Sequence, residues 1–334
     1  MDLEELKDSF GRKHDYLRIS VTDRCNLRCV YCMGADGVKL LPRRAILSYE
    51  EILRVVKCGS RMGISKIRIT GGEPLVRKNL SYFIGGLRKI NGIEDISLTT
   101  NGIFLRKYAQ QLKNAGLDRV NISLDTMKPA LFEEMTRGGN VNDVFEGMKA
   151  ALEYGLIPLK INTVLMKGFN EGEVLDFINM AREREIHVRF IEYMPIGCHD
   201  GEYQDHYLPL SFIMKKAAEA GYNMTPVNNP QGAGPAEYFA FPGSKGTVGL
   251  IHSISKHFCS SCNRLRLTAD GRLKSCLYWQ EEEYVRPVLD KPEELAGLIR
   301  EVINRKPKEH FMCKDSDPQA VERTKMRAMS RTGG

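Results

Sequence analysis

The chain has 334 residues, enough to bury a sizeable core as one large domain with an extension or as two domains. Its 42% apolar and 27% charged residues exclude a disordered chain, and no run of about 18 apolar residues is available to span a membrane. The acidic start Met1-Asp2-Leu3-Glu4-Glu5 does not read as a signal peptide, and the net charge of +7 suits an anionic substrate or a solvated surface rather than a nucleic-acid stripe. Nine cysteines, six of them in two tight groups, point to metal binding in a reducing cytoplasm rather than to disulfides.

In chain order, strands are expected near 16–21, 65–70, 95–100, 119–125, 158–165 and 188–194, each followed by a helical stretch. Ser48-x-x-Glu51 and Asn170-x-x-Glu173 have the form of capping boxes, and Gly116 and Gly155 stand where helices end. Alternating strands and helices predict a parallel sheet with helices outside it, a partial (β/α)6 barrel. Every strand keeps period-two order, with apolar residues on the helix side. The other face then carries Arg18, Arg68, Lys160 and Arg189 where a closed barrel normally holds bulky apolar layers. Burying these cations without partners is prohibitive, so the interior is expected to be a polar cavity for an anionic ligand. The alternative pairs them with buried acids, Asp125 and Glu192 being the nearest in pattern.

Cys25-x3-Cys29-x2-Cys32 follows the first strand. Three thiolates grip three corners of an iron–sulfur cubane and leave one iron open, the mark of a catalytic metal. A zinc knuckle is the plainer reading, but zinc fingers pair their cysteines differently. Thr70-Gly71-Gly72-Glu73-Pro74 ends the second strand, where paired glycines let backbone approach a ligand, or merely turn the chain. A second triplet, Cys259-x2-Cys262-x13-Cys276, fits either iron–sulfur or a zinc site completed by His252 or His257. Cys58 and Cys313 carry no motif, and the loop around Cys198, His199 and His206 reads as solvated surface.

The run from Thr22 to Cys32, joined to Thr70–Pro74, resembles the signature of radical S-adenosylmethionine (SAM) enzymes. That resemblance implies a [4Fe-4S] cluster on Cys25, Cys29 and Cys32, with SAM chelated to the open iron and cleaved to a 5′-deoxyadenosyl radical. It also implies SAM contacts from Tyr31, Gly72, Ser123 and Met194, although Met194 alone reads as core packing.

Asn263-Arg264-Leu265-Arg266 directly after Cys262, followed by Leu267–Gly271 and Cys276, is similar to the GTP 3′,8-cyclase family of molybdenum cofactor biosynthesis. The likeness covers nearly the whole chain, including Lys66–Pro74, Leu98–Gly102, Val120–Asp125, Lys160–Val164, Arg189–Pro195 and the terminal Gly333-Gly334. It implies a second [4Fe-4S] cluster on Cys259, Cys262 and Cys276 that meets the guanine base. It implies GTP contacts from Arg18, Arg68, Thr99, Lys160, Arg189, Arg264, Leu265 and Arg266. Arg18 is also placed near the ribose as a catalytic residue. The implied reaction removes the ribose 3′ hydrogen and joins C3′ to guanine C8. By the same resemblance residues 1–224 form the barrel, and residues 225–334 carry the second cluster and a tail threaded toward the site. The family tail has an apolar residue before Gly-Gly, whereas Thr332 stands here. A low-potential electron donor, a downstream cyclic pyranopterin monophosphate synthase and a cytoplasmic homodimer are further family expectations.

Two other readings compete. Radical SAM peptide-modifying enzymes generally carry more cysteines after the barrel than Cys259, Cys262, Cys276 and Cys313. A zinc-dependent nucleic-acid binder would suit the basic residues at 323–331, but the interleaved aromatic and basic stripe of a single-strand binder is missing.

Overall fold

The computed structural model describes residues 5–196, 203–230, 234–312, 327 and 329–332. The alternating segments form six parallel strands: β1 Tyr16–Ser20, β2 Lys66–Thr70, β3 Asp95–Thr100, β4 Arg119–Ser123, β5 Leu159–Leu165 and β6 Ile186–Glu192. The sequence places each within about two residues. Between and after them run α1 Tyr49–Arg61, α2 Leu80–Arg88, α3 Leu105–Asn114, α4 Pro129–Thr136, α5 Val141–Glu153 and α6 Val174–Glu183. The apolar strand residues Leu17, Ile19, Ile67, Ile69, Ile96, Leu98, Val120 and Ile122 are fully buried in one cluster with apolar helix residues such as Ile52, Phe83 and Val144. Burying a side chain of this size contributes roughly 1.5–3 kcal/mol.

Local signals explain some helix ends and not others. Ser48 and Glu51 form the expected capping box, with Glu51 N–H on Ser48 Oγ at 3.1 Å and Ser48 N–H on Glu51 Oε2 at 2.7 Å. Gly116 and Gly155 follow α3 and α5 with φ of +103° and +66°, the left-handed region that ends a helix. Asn170-x-x-Glu173 is not a capping box. Asn170 instead accepts from Met166 N–H and donates to the Asp125 and Val164 carbonyls, while Glu173 accepts from Thr126 Oγ1 and Met127 N–H. Both side chains therefore bind the loop after β4 rather than their own helix.

After α7 Tyr203–His206 and α8 Ser211–Glu219, the chain adds β7 Thr225–Val227, β8 Glu237–Ala240, β9 Thr247–Ile251, β10 Arg264–Leu267, β11 Arg272–Lys274 and β12 Glu283–Tyr284. It then forms α9 Pro292–Asn304 and the short α10 Met329–Thr332. All twelve strands belong to one sheet in the order β12-β11-β10-β1-β2-β3-β4-β5-β6-β9-β8-β7. β10 pairs parallel with β1, and β9 pairs parallel with β6, so the C-terminal segment extends both edges of the six-stranded unit. β12 and β7 end the order and do not pair with each other, which leaves an open, partial barrel. α9 packs against α1, and Arg286 ties the two regions by donating to Glu51 at 2.9 Å. Among the described residues no helix is long and apolar enough to cross a membrane. Cys198, His199, Cys313, Gly333, Gly334 and most of 323–331 lie outside the described residues.

Candidate active site

Strand register builds the site. Arg18 on β1 stands directly beside Arg266 on β10 and Arg68 on β2, so three guanidiniums occupy neighbouring positions on the inner face. Adjacent strands are about 4.8 Å apart, close enough for like charges to repel. The inner face opens onto a cavity of about 1390 Å³, part of it open to solvent. Its lining includes Arg18, Arg68, Arg189, Arg264 and Arg266, with Asp125 the single carboxylate among the described lining residues.

Those arginines are not neutralised by the acids that the sequence pattern offered. Asp125 accepts from Tyr31 Oη and from Val164 N–H, both at 2.8 Å. Glu192 accepts from Ile254 and Ser255 N–H at 2.7 and 2.9 Å, from Ser255 Oγ at 2.6 Å and from Tyr207 Oη at 3.2 Å. Burial, then Arg266, pushes Arg18 well below its usual range. Burial pulls Arg68 down to about 10, with Tyr16 partly offsetting Arg119 and Arg189. Arg266 also falls to about 10, through burial and then Arg264. The Nε atoms of Arg68 and Arg189 and the hydroxyl of Thr99 have no hydrogen-bond partner among the described residues. Such a wall suits an anionic ligand.

Lys160 lies outside the cavity lining. Its Nζ donates to the Pro230 carbonyl at 3.3 Å and stands 5.7 Å from the Tyr238 ring centroid. Burial and Arg189 lower it to about 6. Leu265 also differs from expectation. Alternation on β10 turns it away from Arg264 and Arg266 into the apolar core, so its side chain does not reach the cavity. Sequence reasoning missed Tyr16, Asn162, Phe258, Tyr278 and His310 in the lining. Tyr16 had a usable signal, since period two puts it on the face of Arg18.

The first cysteine triplet lies just past the C-terminal end of β1. Its loop is pinned to α4, with Arg28 N–H on the Thr136 carbonyl and Val30 N–H on the Met135 carbonyl, both at 2.9 Å. Gly71 and Gly72 pack on the segment leading into it, and Gly72 N–H donates to the Thr22 carbonyl at 2.7 Å. Glu73, which the sequence reading did not single out, accepts from Leu75 and Asn101 N–H and from Thr100 Oγ1, locking the ends of β2 and β3 together. Tyr31, Ser123 and Met194 line the cavity, while Cys25, Cys29, Cys32 and Gly72 are not part of that lining.

Cys259, Cys262 and Cys276 line the cavity directly. Because β10 runs parallel to β1, Cys262 just before it lies at the N-terminal end of the strands, opposite the first triplet. Five residues of strand separate the two levels by about 16 Å. The histidines considered as zinc ligands have carboxylate neighbours: His257 Nε2 is 2.9 Å from Glu309, and His252 is 3.8 Å from both Glu192 and Glu237.

Among the described residues no three His, Cys, Asp or Glu side chains are arranged to hold one metal ion. A cubane takes its thiolates at separate corners, so donor chemistry is the relevant test. Burial raises Cys25 and Cys259 to about 11, and raises Cys29 strongly, with Cys32, Asp125 and Cys25 adding to it. Thiols crowded this way shed their protons when a cationic iron core replaces them. Both sets therefore fit iron–sulfur ligation.

The described end of the tail also reaches the cavity. Met329 lines it, and Thr332 is buried with its hydroxyl donating to the Met329 carbonyl at 3.2 Å. The polar atom at Thr332 is thus satisfied within its own turn.

Residues 19–181 match the model of the radical SAM superfamily, and residues 186–312 match that of molybdenum cofactor synthesis C. A GTP 3′,8-cyclase of Listeria monocytogenes serotype 4b is 49% identical over 99% of this chain and 100% of its own length. Another from Limosilactobacillus fermentum is 43% identical with the same coverage. Among solved structures, Streptococcus suis SuiB bound to S-adenosylmethionine has a TM-score of 0.58 at 15% identity, covering 94% of this chain and 72% of that one. Native anSMEcpe with bound AdoMet has a TM-score of 0.59 at 16% identity, covering 86% and 83%. At that identity these two speak for the fold alone. The full-length relatives decide the family: the chain belongs to the GTP 3′,8-cyclases, radical SAM enzymes of molybdenum cofactor biosynthesis.

Proposed function

We propose that the cavity holds GTP between the two cysteine sets and that the chain cyclises it to (8S)-3′,8-cyclo-7,8-dihydroguanosine 5′-triphosphate, a lyase reaction. The observation that carries this reading is the row Arg266–Arg18–Arg68 on three neighbouring strands, in a lining with one carboxylate among the described residues. A triphosphate presents negative charge to this row, and guanidiniums take phosphate oxygens two at a time. Arg189, Thr99 and Arg264 extend the same wall, and Lys160 adds charge from behind it. An anion nearby restores the Lys160 ammonium that burial disfavours. Of the run 264–266, only the arginines offer side chains to the nucleotide; a contact from Leu265 falls to its backbone.

SAM is assigned to the opposite end, against Tyr31, Ser123 and Met194. Its amino group donates, so the Gly72 carbonyl is the matching group, because the Gly72 N–H is already spent on Thr22. When bound to Cys25, Cys29 and Cys32, a [4Fe-4S] cluster supplies the electron that cleaves SAM. The chain's own task is to hold ribose C3′ facing the SAM side and guanine facing Cys259, Cys262 and Cys276. Arg18, central in the row, sits at the ribose in this arrangement. Val164, Ile191 and Ile251 keep water from that part of the cavity. Residues 1–224 then form the SAM-binding barrel and 225–334 the second-cluster extension. The tail toward Gly333 and Gly334 closes the site from the side of Met329. A low-potential electron donor, transfer of product to a cyclic pyranopterin monophosphate synthase, and a cytoplasmic homodimer complete the reading; nucleic acid and membrane have no part in it.

The test is metal content of anaerobically purified protein, followed by incubation with SAM, reductant and GTP. About eight iron per chain, with 5′-deoxyadenosine dependent on GTP, is the expected result. Cys25→Ala abolishes SAM cleavage, whereas Cys276→Ala keeps uncoupled cleavage and loses cyclisation. Equal loss of both reactions in two folded variants counts against separate roles for the two sets. About four iron plus one zinc would demote the second set to structure.

A further inference from the structure

Lys306 follows α9 and is only 3% exposed. An ammonium has three donors, and here all are directed to one short segment. They reach the Cys262 carbonyl at 3.3 Å, the Cys262 Sγ at 3.3 Å and the Arg264 carbonyl at 2.8 Å. Neither carbonyl carries a formal charge. Arg12, a cation beside it, pairs through Nε with Asp8 at 2.5 Å and donates to the Cys259 carbonyl at 2.8 Å and the Lys306 carbonyl at 3.5 Å. A buried ammonium without an anion is costly. Among the described residues that Lys306 touches, the Cys262 sulfur is the group able to carry the balancing charge, and the geometry already directs an N–H at it. The first cysteine set differs: Cys25 Sγ accepts neutral backbone N–H groups, that of Leu27 at 3.4 Å, and nearby Arg28 donates to the Cys25 carbonyl instead.

We propose that Lys306 is a positioning residue that raises the reduction potential of the second cluster through a charged hydrogen bond to the sulfur of its ligand Cys262. This rests on the reading that Cys259, Cys262 and Cys276 carry iron and sulfide. Hydrogen bonds to ligand sulfur and net local charge are the levers by which a protein sets such potentials. A cation at the sulfur favours the reduced state, which is more negative by one charge. Lys306 would hold that state without touching substrate.

The test uses full-length protein carrying both clusters, with Lys306→Gln and Lys306→Arg beside the natural residue. Iron and sulfide are counted first, and the two clusters are then followed by redox titration with electron paramagnetic resonance. Gln keeps a donor but removes the charge, so one of the two potentials moves negative while the other stays. The ratio of reduced to oxidised cluster at fixed applied potential falls about tenfold, a shift of about 59 mV for one electron. Arg keeps both charge and donors and restores the potential. Half the iron lost from the Gln variant alone overturns the proposal, because Lys306 would then retain the cluster rather than set its potential. Full iron with both potentials unmoved in Lys306→Gln overturns it. So does loss of the second cluster from both variants, since removing and conserving the charge would then act alike. Natural protein with four iron and one zinc fails at the first step, and that outcome refutes the underlying cluster assignment along with the proposal.

Discussion

Replacing Gly72 by alanine tests how the glycine pair serves the first cysteine set. A Cβ there would stand 2.3 Å from the Arg24 carbonyl oxygen, 2.6 Å from its carbon and 3.1 Å from the Asp23 oxygen. All three are backbone atoms in the segment that leads into Cys25, so no side chain can swing aside. The two segments must separate by at least about 0.7 Å to reach even a 3.0 Å contact. That movement strains the Gly72 N–H bond to Thr22 and the Glu73 N–H bond to Arg24, both 2.7 Å long. Overpacking costs about 1–3 kcal/mol, and two weakened hydrogen bonds add about 1–3 kcal/mol. Against a typical stability of about 5–15 kcal/mol the variant stays folded. The cysteine loop moves, however, and a displacement near 1 Å costs about 100-fold in a reaction that depends on placement. The assay is iron content, thermal melting and the rate of SAM cleavage, with Gly85→Ala in α2 as the control. A Cβ at Gly85 would meet nothing within 4 Å, so alanine there raises helix stability by about 0.5–1 kcal/mol and leaves chemistry alone. Gly72→Ala with full iron and an unchanged cleavage rate would refute the reasoning.

Two further outcomes follow from buried charge. Arg68→Met removes one of three adjacent guanidiniums, so the ligand-free protein melts higher while the KM for GTP rises about 10- to 100-fold, the loss of a charged hydrogen bond worth about 1.5–3 kcal/mol. A lower melting temperature with an unchanged KM would remove Arg68 from the anion wall. His14 is buried with Nδ1–H on the Arg12 carbonyl at 2.9 Å, and burial, then Lys306, lowers its pKa from 6.5 to about 4. Between those values the unfolded chain binds a proton that the folded chain refuses. Stability therefore falls as pH drops from 6.5 toward 4, by about 3 kcal/mol from this group, and its contribution is constant above 6.5. Urea unfolding at several pH values checks this; His14→Gln should flatten the acid slope, and an identical slope in the variant contradicts the assignment.

Much of this molecule is written in local pattern. Period-two alternation located β1 to β6 because a half-buried strand has only one face that can meet the helices. Ser48 and Glu51 were legible because a capping box is closed by residues three apart. Both cysteine triplets and their distinction from disulfide scaffolds were also legible, since ligand spacing is a property of short segments. Asn170 and Glu173 show the limit: the same spacing of residue types is spent on the loop after β4, which no local rule anticipates.

Tertiary structure decided the rest. β9 and β10 carry ordinary strand alternation, but nothing in their sequence says that they join opposite edges of the sheet formed by β1 to β6. That pairing places Arg266 beside Arg18 and sets the second cysteine set at the far end from the first. It also settles which buried cations have anionic neighbours, because Asp125 and Glu192 are occupied by hydroxyls and backbone N–H groups. Sequence alone determined which faces are apolar and which short segments group cysteines at ligand spacing, since both follow from neighbours along the chain. The shared cavity, its row of guanidiniums and the ammonium held at Cys262 depend on residues up to some 250 positions apart, and only the folded sheet brings these together.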